Sequence, residues 1–218
     1  MERGRFVEQR TCREARMDGE WKTESPVLRR FVEEVGAIFA SDEPIEVRLA
    51  RARPSFERLL QTDGWLEERY QRGDPTSGMG GGIGTWLLFR SPNDDLSLFS
   101  LVVDPGKSTP VHDHLRWGLI GLYRGRQLER FYRKLDERGN VALVLERECA
   151  RGDIYELIPP EGDIHSVTTI SKEPSISIHL LGGDIGCLWR HRFDLEAGQA
   201  VPFRSGYSNA PCEETVDG

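Results

Sequence analysis

Between Thr85 and Phe193 the chain runs through eight short apolar blocks, each bounded by turn residues and with no long helix between them. The blocks are 86–90, 96–103, 117–123, 126–133, 141–148, 153–158, 165–170 and 175–181, with Pro92-Asn93 and Pro105-Gly106 among the turns. Several alternate apolar and polar residues, the period of a half-buried strand. Parallel strands would need long connections between them. The series therefore predicts an antiparallel β-sandwich or barrel.

The chain ahead of this region reads differently. Ser25-Pro26 offers an N-cap followed by proline at the first helical position. Val27, Leu28, Phe31, Val32, Val35, Ile38 and Phe39 then recur at helical spacing, which predicts an amphipathic helix with one face buried. Ser41-Asp42-Glu43-Pro44 restarts the pattern. Ile45, Leu49, Phe56, Leu59 and Leu60 predict one or two further helices ending at Asp63-Gly64. Residues 71–84 are glycine-rich and lack the lysine-serine/threonine ending of a phosphate loop, so they read as a linker or lid. The division expected is 1–84 for the helices and linker packed on a barrel, and 85–218 for the barrel with its tail. The polar, proline-marked stretch after Ala197 is expected to lie over the surface.

Composition narrows the function classes. A net charge of −7 over 218 residues disfavours generic nucleic-acid binding, which needs a basic face. The cation-rich run Gln127–Lys134 leaves room for a local basic patch. No run reaches the roughly 18 apolar residues of a membrane span. Met1-Glu-Arg-Gly-Arg-Phe lacks the apolar core of a secretory signal, so a soluble cytoplasmic protein is expected, with neither nucleic acid nor membrane as partner. Cys12, Cys149, Cys187 and Cys212 form no CxxC pair. In that compartment they are expected to be reduced and unrelated.

The chemistry concentrates in two motifs. In Gly106-Lys-Ser-Thr-Pro-Val-His112-Asp-His114, histidines two apart share one face if the segment is a strand. His165, in Pro160-Glu-Gly162-Asp-Ile-His165, supplies a third imidazole from a neighbouring strand. Imidazole suits zinc, copper, iron and nickel, so the set indicates a metal without naming it.

Gly106, His112, His114 and Gly125 resemble the first cupin motif, and Pro160-x-Gly162-x-x-His165 resembles the second. Gly118 stands where the first motif usually has glutamate, leaving three histidines and no carboxylate. Within the cupins the pattern is similar to the cysteine dioxygenase family of thiol dioxygenases, including the bacterial 3-mercaptopropionate dioxygenases. The similarity lies in 109–125, 162–165, Pro174-Ser-Ile-Ser-Ile-His179 and Gly206-Tyr-Ser-Asn209, and extends loosely from about Pro26 to Asn209. It implies a double-stranded β-helix with an N-terminal helical subdomain. It also implies Fe(II) held by His112, His114 and His165, and conversion of a small carboxylate-bearing thiol to its sulfinate with O2.

Position by position, Ser177 and His179 match the first two members of the family's Ser-His-Tyr relay, and Leu181 stands where its tyrosine would be. Leucine can neither donate a hydrogen bond nor relay a proton. With Gly118 in place of the cysteine that crosslinks to that tyrosine in mammalian-type enzymes, no crosslink can form. Arg190 falls where the family's carboxylate-binding arginine is expected. The other recognition point aligns with Thr85, with Arg90 as a substitute, while Arg116 is expected to face away from the metal. Three alternatives stay open: a cupin oxygenase of a non-thiol substrate, a non-catalytic metal-binding cupin, and zinc in place of iron. Monomer and homodimer are both compatible with the sequence.

Overall fold

The computed structural model describes residues 18–93 and 95–212. Two helices precede a body of antiparallel strands. After the two-residue strand β1 (Glu20–Trp21) come α1 (Pro26–Phe39) and α2 (Ile45–Gln61). The strands that follow are β2 (Ile83–Arg90), β3 (Leu96–Val103), β4 (Gly118–Arg124), β5 (Arg126–Lys134), β6 (Val141–Ala150) and β7 (Ile154–Leu157). Then come β8 (Ile164–Thr169), β9 (Ser175–Gly182), β10 (Arg190–Asp194) and β11 (Gln199–Phe203).

Local chemistry sets the helices as expected. Ser25 Oγ accepts from the Leu28 N–H, and proline stands at the first helical position of α1. Leu28, Phe31, Val32 and Val35 form its buried face. The second apolar pattern is one helix rather than two, running through Pro54, whose ring removes one intrahelical donor.

The strands build two walls. One is a sheet in the order β1-β2-β3-β9-β4-β7; the other contains β6-β5-β8. Bridges from His112 to His165 and to Arg192 join the second wall to the β10-β11 pair. The chain crosses between walls at the single residue between β4 and β5. This arrangement is a mainly β double-stranded β-helix, a cupin-type jelly roll with two helices ahead of it.

Alternation along the first wall separates an outer from an inner face. On β3 and β9, Leu98, Val102, Ile176, Ile178 and Leu180 join α1 and α2 in one apolar cluster. Phe99, Leu101, Val103 and Leu181 point the other way, into a second cluster inside the barrel. Both faces are covered, so these strands read as continuous apolar runs. Gly121 allows the close approach of α2: a Cβ there would meet Leu60 Cδ1 at 2.3 Å and Phe56 Cε1 at 2.9 Å.

Three expectations need correction. Cys187 and Cys212 form a disulfide, leaving Cys149 as the free, buried thiol among the described cysteines; Cys12 lies outside the described residues. The pair is 25 residues apart and has no motif to betray it. The stretch after Ala197 is not a surface tail. It supplies β11, then lays Ser208 and Asn209 along β2, where Thr85 N–H donates to Ser208 Oγ at 3.2 Å and Leu87 N–H to Asn209 Oδ1 at 2.8 Å. The cations of β5 are also not a free patch, since Arg126 pairs with Glu148, Arg130 with Glu146 and Lys134 with Glu137.

Among the described residues, no helix is long and apolar enough to cross a membrane.

Candidate metal centre

The three motif histidines converge inside the barrel. His112, His114 and His165 are buried, and each offers a ligand atom within 4.8 Å of the others. Their carrier is less regular than a strand. The 106–117 segment is held by isolated bridges, Ser108 to Thr168 and His112 to His165. Leu115, just past the second histidine, has φ 59°. Asp113, between the two histidines, turns the opposite way. It accepts from the His191 backbone N–H at 2.7 Å and contacts His191 Nδ1 at 2.8 Å, fastening the motif to β10.

Each imidazole is oriented from behind. His112 Nδ1 lies 2.9 Å from Pro110 O, and His114 Nδ1 lies 3.2 Å from Asp163 Oδ1. Asp163 also accepts the backbone N–H groups of His114 at 2.9 Å and Leu115 at 3.0 Å. Burial alone would raise the Asp163 carboxyl, but the hydrogen bonds and charge of His114 outweigh it and hold the group below its usual range. His165 Nδ1 lies 3.3 Å from the Tyr155 hydroxyl, while its buried Nε2 has no hydrogen-bond partner. In all three rings Nδ1 is engaged and Nε2 is left over.

These residues fit a metal ion. A ligating histidine must be neutral with its second nitrogen anchored. Burial, reinforced by Arg190 and the neighbouring histidines, pushes His112 well below its ordinary pKa; burial, competition for protonation with His114 and His179, and the charge of Arg190 do the same to His165. Both stay neutral at neutral pH.

Beside the histidines lies a cavity of about 10 Å3, lined in part by Met79, Thr85, Phe99, His179, Arg190 and Ser205. Met79 comes from the glycine-rich 71–84 segment, so that segment forms part of the cavity wall. Ser177 Oγ and His179 Nε2 are 2.9 Å apart, and the His179 ring stacks on Phe99 at 4.7 Å. Arg190 donates to Asp113 O at 2.8 Å and to Ser205 Oγ at 3.0 Å, with its guanidinium 4.9 Å from the Phe203 ring centroid. Burial lowers its pKa to about 10, which leaves it cationic at neutral pH. Thr85 Oγ1, His179 Nδ1 and Arg190 Nε are buried without partners.

Leu181 and Gly118 are cross-strand partners on β9 and β4. A Cβ on Gly118 would meet Leu181 Cδ2 at 2.1 Å, so the leucine fills the space above the glycine. Leu181 belongs to the inner apolar cluster with Phe99, Ile120 and Ile185. Arg90 lies elsewhere, paired with Glu20 and with Asp184 at 2.6 Å. It faces a separate groove of about 960 Å3, which Arg116 also lines.

What stands behind His165 is not apparent from the two histidine motifs. Tyr155 on β7 is packed edge-on by Phe131, with ring centroids 5.6 Å apart and planes at 88°. The Arg147 guanidinium lies 4.6 Å from its ring centroid. Arg147 also donates to the buried Glu129 at 2.9 Å. Burial raises Glu129 above the usual carboxylate range, with Arg147 pulling it back. The usable signal was the pattern Gln127-x-Glu129-x-Phe131, which puts a carboxylate on the inward face of β5.

Fold and site together define a double-stranded β-helix protein with a three-histidine metal-binding site. No protein-family model matches the chain. Among solved structures, an uncharacterised conserved protein with a double-stranded β-helix domain from Klebsiella pneumoniae is 16% identical over 58% of this chain and 95% of that one, with a TM-score of 0.40. An oxalate oxidase in complex with the substrate analogue glycolate is 15% identical over 54% of this chain and 58% of that one, with a TM-score of 0.40. Peruvianin-I, a cysteine peptidase from Thevetia peruviana latex, is 22% identical over 41% and 51%, with a TM-score of 0.34. The chain thus spans between half and three-fifths of the last two. Likeness at this level brings no activity with it.

Proposed function

We propose that this chain is a mononuclear non-haem iron thiol dioxygenase acting on a small carboxylate-bearing thiol, 3-mercaptopropionate or cysteine. The reaction is RSH + O2 giving RSO2H, with both oxygen atoms on sulfur and the thiol as the source of electrons. One observation carries the reading. The cavity beside three buried histidines is also lined by a buried arginine whose Nε–H has no partner. Fe(II) held by His112, His114 and His165 would supply the redox chemistry that joins dioxygen to the sulfur.

The chain's own residues account for binding and proton handling. Arg190 has two nitrogens engaged by Asp113 and Ser205, which fixes the plane of the guanidinium. Its unpartnered Nε–H can donate a charge-assisted hydrogen bond to a carboxylate. Thr85 Oγ1 offers a second polar contact on the same wall. When His179 donates its Nε2–H to Ser177, Nδ1 keeps a free lone pair and can take the proton of the substrate thiol. Burial, with proton competition from His114 and the charge of Arg190, keeps His179 neutral, so that lone pair stays available.

A second reading is an oxygenase of a non-thiol substrate in the same fold. Leu181 favours it, because an apolar side chain packed over Gly118 stands where a polar relay would continue. Oxygen consumption by the Fe(II)-loaded protein, measured with 3-mercaptopropionate, cysteine and cysteamine in turn, separates the two. One sulfinate per dioxygen, with preference for the carboxylate-bearing thiols, is the expected result. Bound iron with no uptake on any of the three removes the thiol reading.

A further inference from the structure

We infer that the Cys187–Cys212 disulfide is a redox latch on the cavity. Oxidised, it holds the cavity at its closed size; reduced, it lets the cavity admit a carboxylate-bearing ligand. The inference rests on the reading of Arg190 as a carboxylate site and not on the fate of the sulfur.

The disulfide joins two arms that both border the cavity. The first arm is the β9–β10 connection, residues 183–189, which contributes Ile185 to the lining. The second is the chain beyond β11, residues 204–212, which contributes Ser205. The arms clasp each other directly. Gly206 N–H donates to Gly186 O at 2.8 Å, Gly186 N–H donates to the Tyr207 hydroxyl at 3.1 Å, and that hydroxyl donates to Asp184 Oδ1 at 2.7 Å. The second arm then runs on to β2. There Ser208 N–H donates to Thr85 O at 2.7 Å, and the Asn209 side chain bonds both backbone groups of Leu87, at 2.8 and 2.9 Å. Cys212 then returns the chain to Cys187. Arg190 and its partner Ser205 both lie inside the loop that the disulfide closes, and Thr85 lies under the arm that it ties down.

A cavity of about 10 Å3 has room for one water, so a carboxylate on a short carbon chain is seated only when its walls part. Hydrogen bonds between the arms can open locally and close again. The disulfide restricts that opening, because it keeps the ends of the two arms together and so limits the parted conformations open to them. Reduction leaves the clasp in place and removes only the tie. Both cysteines are half-buried rather than sealed in the core. Cys187 also lines the groove of about 960 Å3, so a reductant reaches it without passing through the cavity. A dithiol supplies the two electrons. One of its thiolates attacks the Cys187 sulfur and releases Cys212 as a thiolate; its second thiolate then displaces Cys187 from the mixed disulfide. The dithiol leaves as a disulfide, and its two protons end on the two cysteines.

The test uses 3-hydroxypropionate as the probe, a short carboxylate with no thiol to disturb the disulfide. Its affinity is measured by titration calorimetry on iron-loaded protein under nitrogen. Three samples are compared: the oxidised parent, the parent reduced with dithiothreitol that is then removed, and Cys212→Ser. Both unlatched proteins are expected to bind the probe about 10-fold more tightly, as the binding-competent fraction rises. Hydrogen exchange at the Thr85, Leu87, Gly206 and Ser208 amides should quicken with it, while exchange in β5 and β8 stays as in the oxidised parent. Equal or weaker binding by the unlatched proteins overturns the latch, whatever the exchange shows. If Cys212→Ser does not fold, the reduced parent decides the matter alone. Failure of all three samples to bind the probe is a different result: it removes the carboxylate reading of Arg190, and the latch with it.

Discussion

The cavity has two walls of opposite character. On the histidine side each ring is anchored from behind: Pro110 O, Asp163 and Tyr155 take the three Nδ1 atoms. On the opposite side, Thr85 Oγ1, His179 Nδ1 and Arg190 Nε are buried with nothing to bond. A buried polar atom left unpaired costs about 1–3 kcal/mol, so three on one small wall are a standing burden on the fold. The contrast separates the roles. The histidine wall is anchored from behind and keeps His165 Nε2 free for a metal, whereas the polar atoms of the arginine wall are free to pair with a ligand.

The sharpest way to break this contrast is to remove a ligand. His112→Ala, His114→Ala or His165→Ala is expected to abolish stoichiometric metal binding, read as iron per chain after reconstitution; a variant that keeps its iron would take that residue out of the centre. Next in size is Arg190→Ala, expected to raise KM for a carboxylate-bearing thiol about 10–100-fold, the 1.4–2.8 kcal/mol of one charge-assisted contact. Metal content should not change, and turnover of cysteamine should be spared. Equal damage to cysteamine would mean that Arg190 supports the fold rather than the carboxylate.

Acidity probes the histidine wall from the other side. His112, His165 and His179 have folded-state pKa values pushed well below 6.5, chiefly by burial. Above about pH 6.5 neither folded nor unfolded chains bind protons at these rings, so stability is level with respect to them. Below it the unfolded chain takes up protons first, and stability falls by about 1.4 kcal/mol per pH unit for each ring until its folded pKa is reached. Urea denaturation of the metal-free protein from pH 8 to 5 should show this decline, and a flat profile would contradict neutral buried imidazoles. The smallest effect expected is that of Leu181→Tyr. The larger ring must enter space already filled above Gly118, at a cost of about 1–3 kcal/mol, and oxygen uptake per sulfinate would show whether a hydroxyl there alters coupling.

What the sequence disclosed follows its own periodicities. The eight strands from β2 to β9, the Ser25 cap and the His112/His114 pair were legible because each is written within a few neighbouring residues, and His165 was legible through its own motif; β1, β10 and β11 were not recognised. The pairing of Cys187 with Cys212, the seating of Ser208 on Thr85 and the ion pairs of Arg90 were not, because each depends on contacts between distant segments. Thr85 and Ser208 are 123 positions apart, and Arg90 and Asp184 are 94 apart. Tyr155 fell between the two cases. Its strand was recognised, but not that its hydroxyl stands behind His165.

The cavity's size has a kinetic consequence. About 10 Å3 is the room of a single water, less than a carboxylate-bearing thiol needs. Filling it requires the wall to give first, and Met79, an unbranched side chain on a glycine-rich loop, is the most pliable part of that wall. If a carboxylate-bearing thiol is the substrate, its entry is expected to wait on movement of that wall. Substrate capture should slow in viscous or cold solution more than encounter alone would dictate, and a rapid-mixing trace should level off at high substrate concentration.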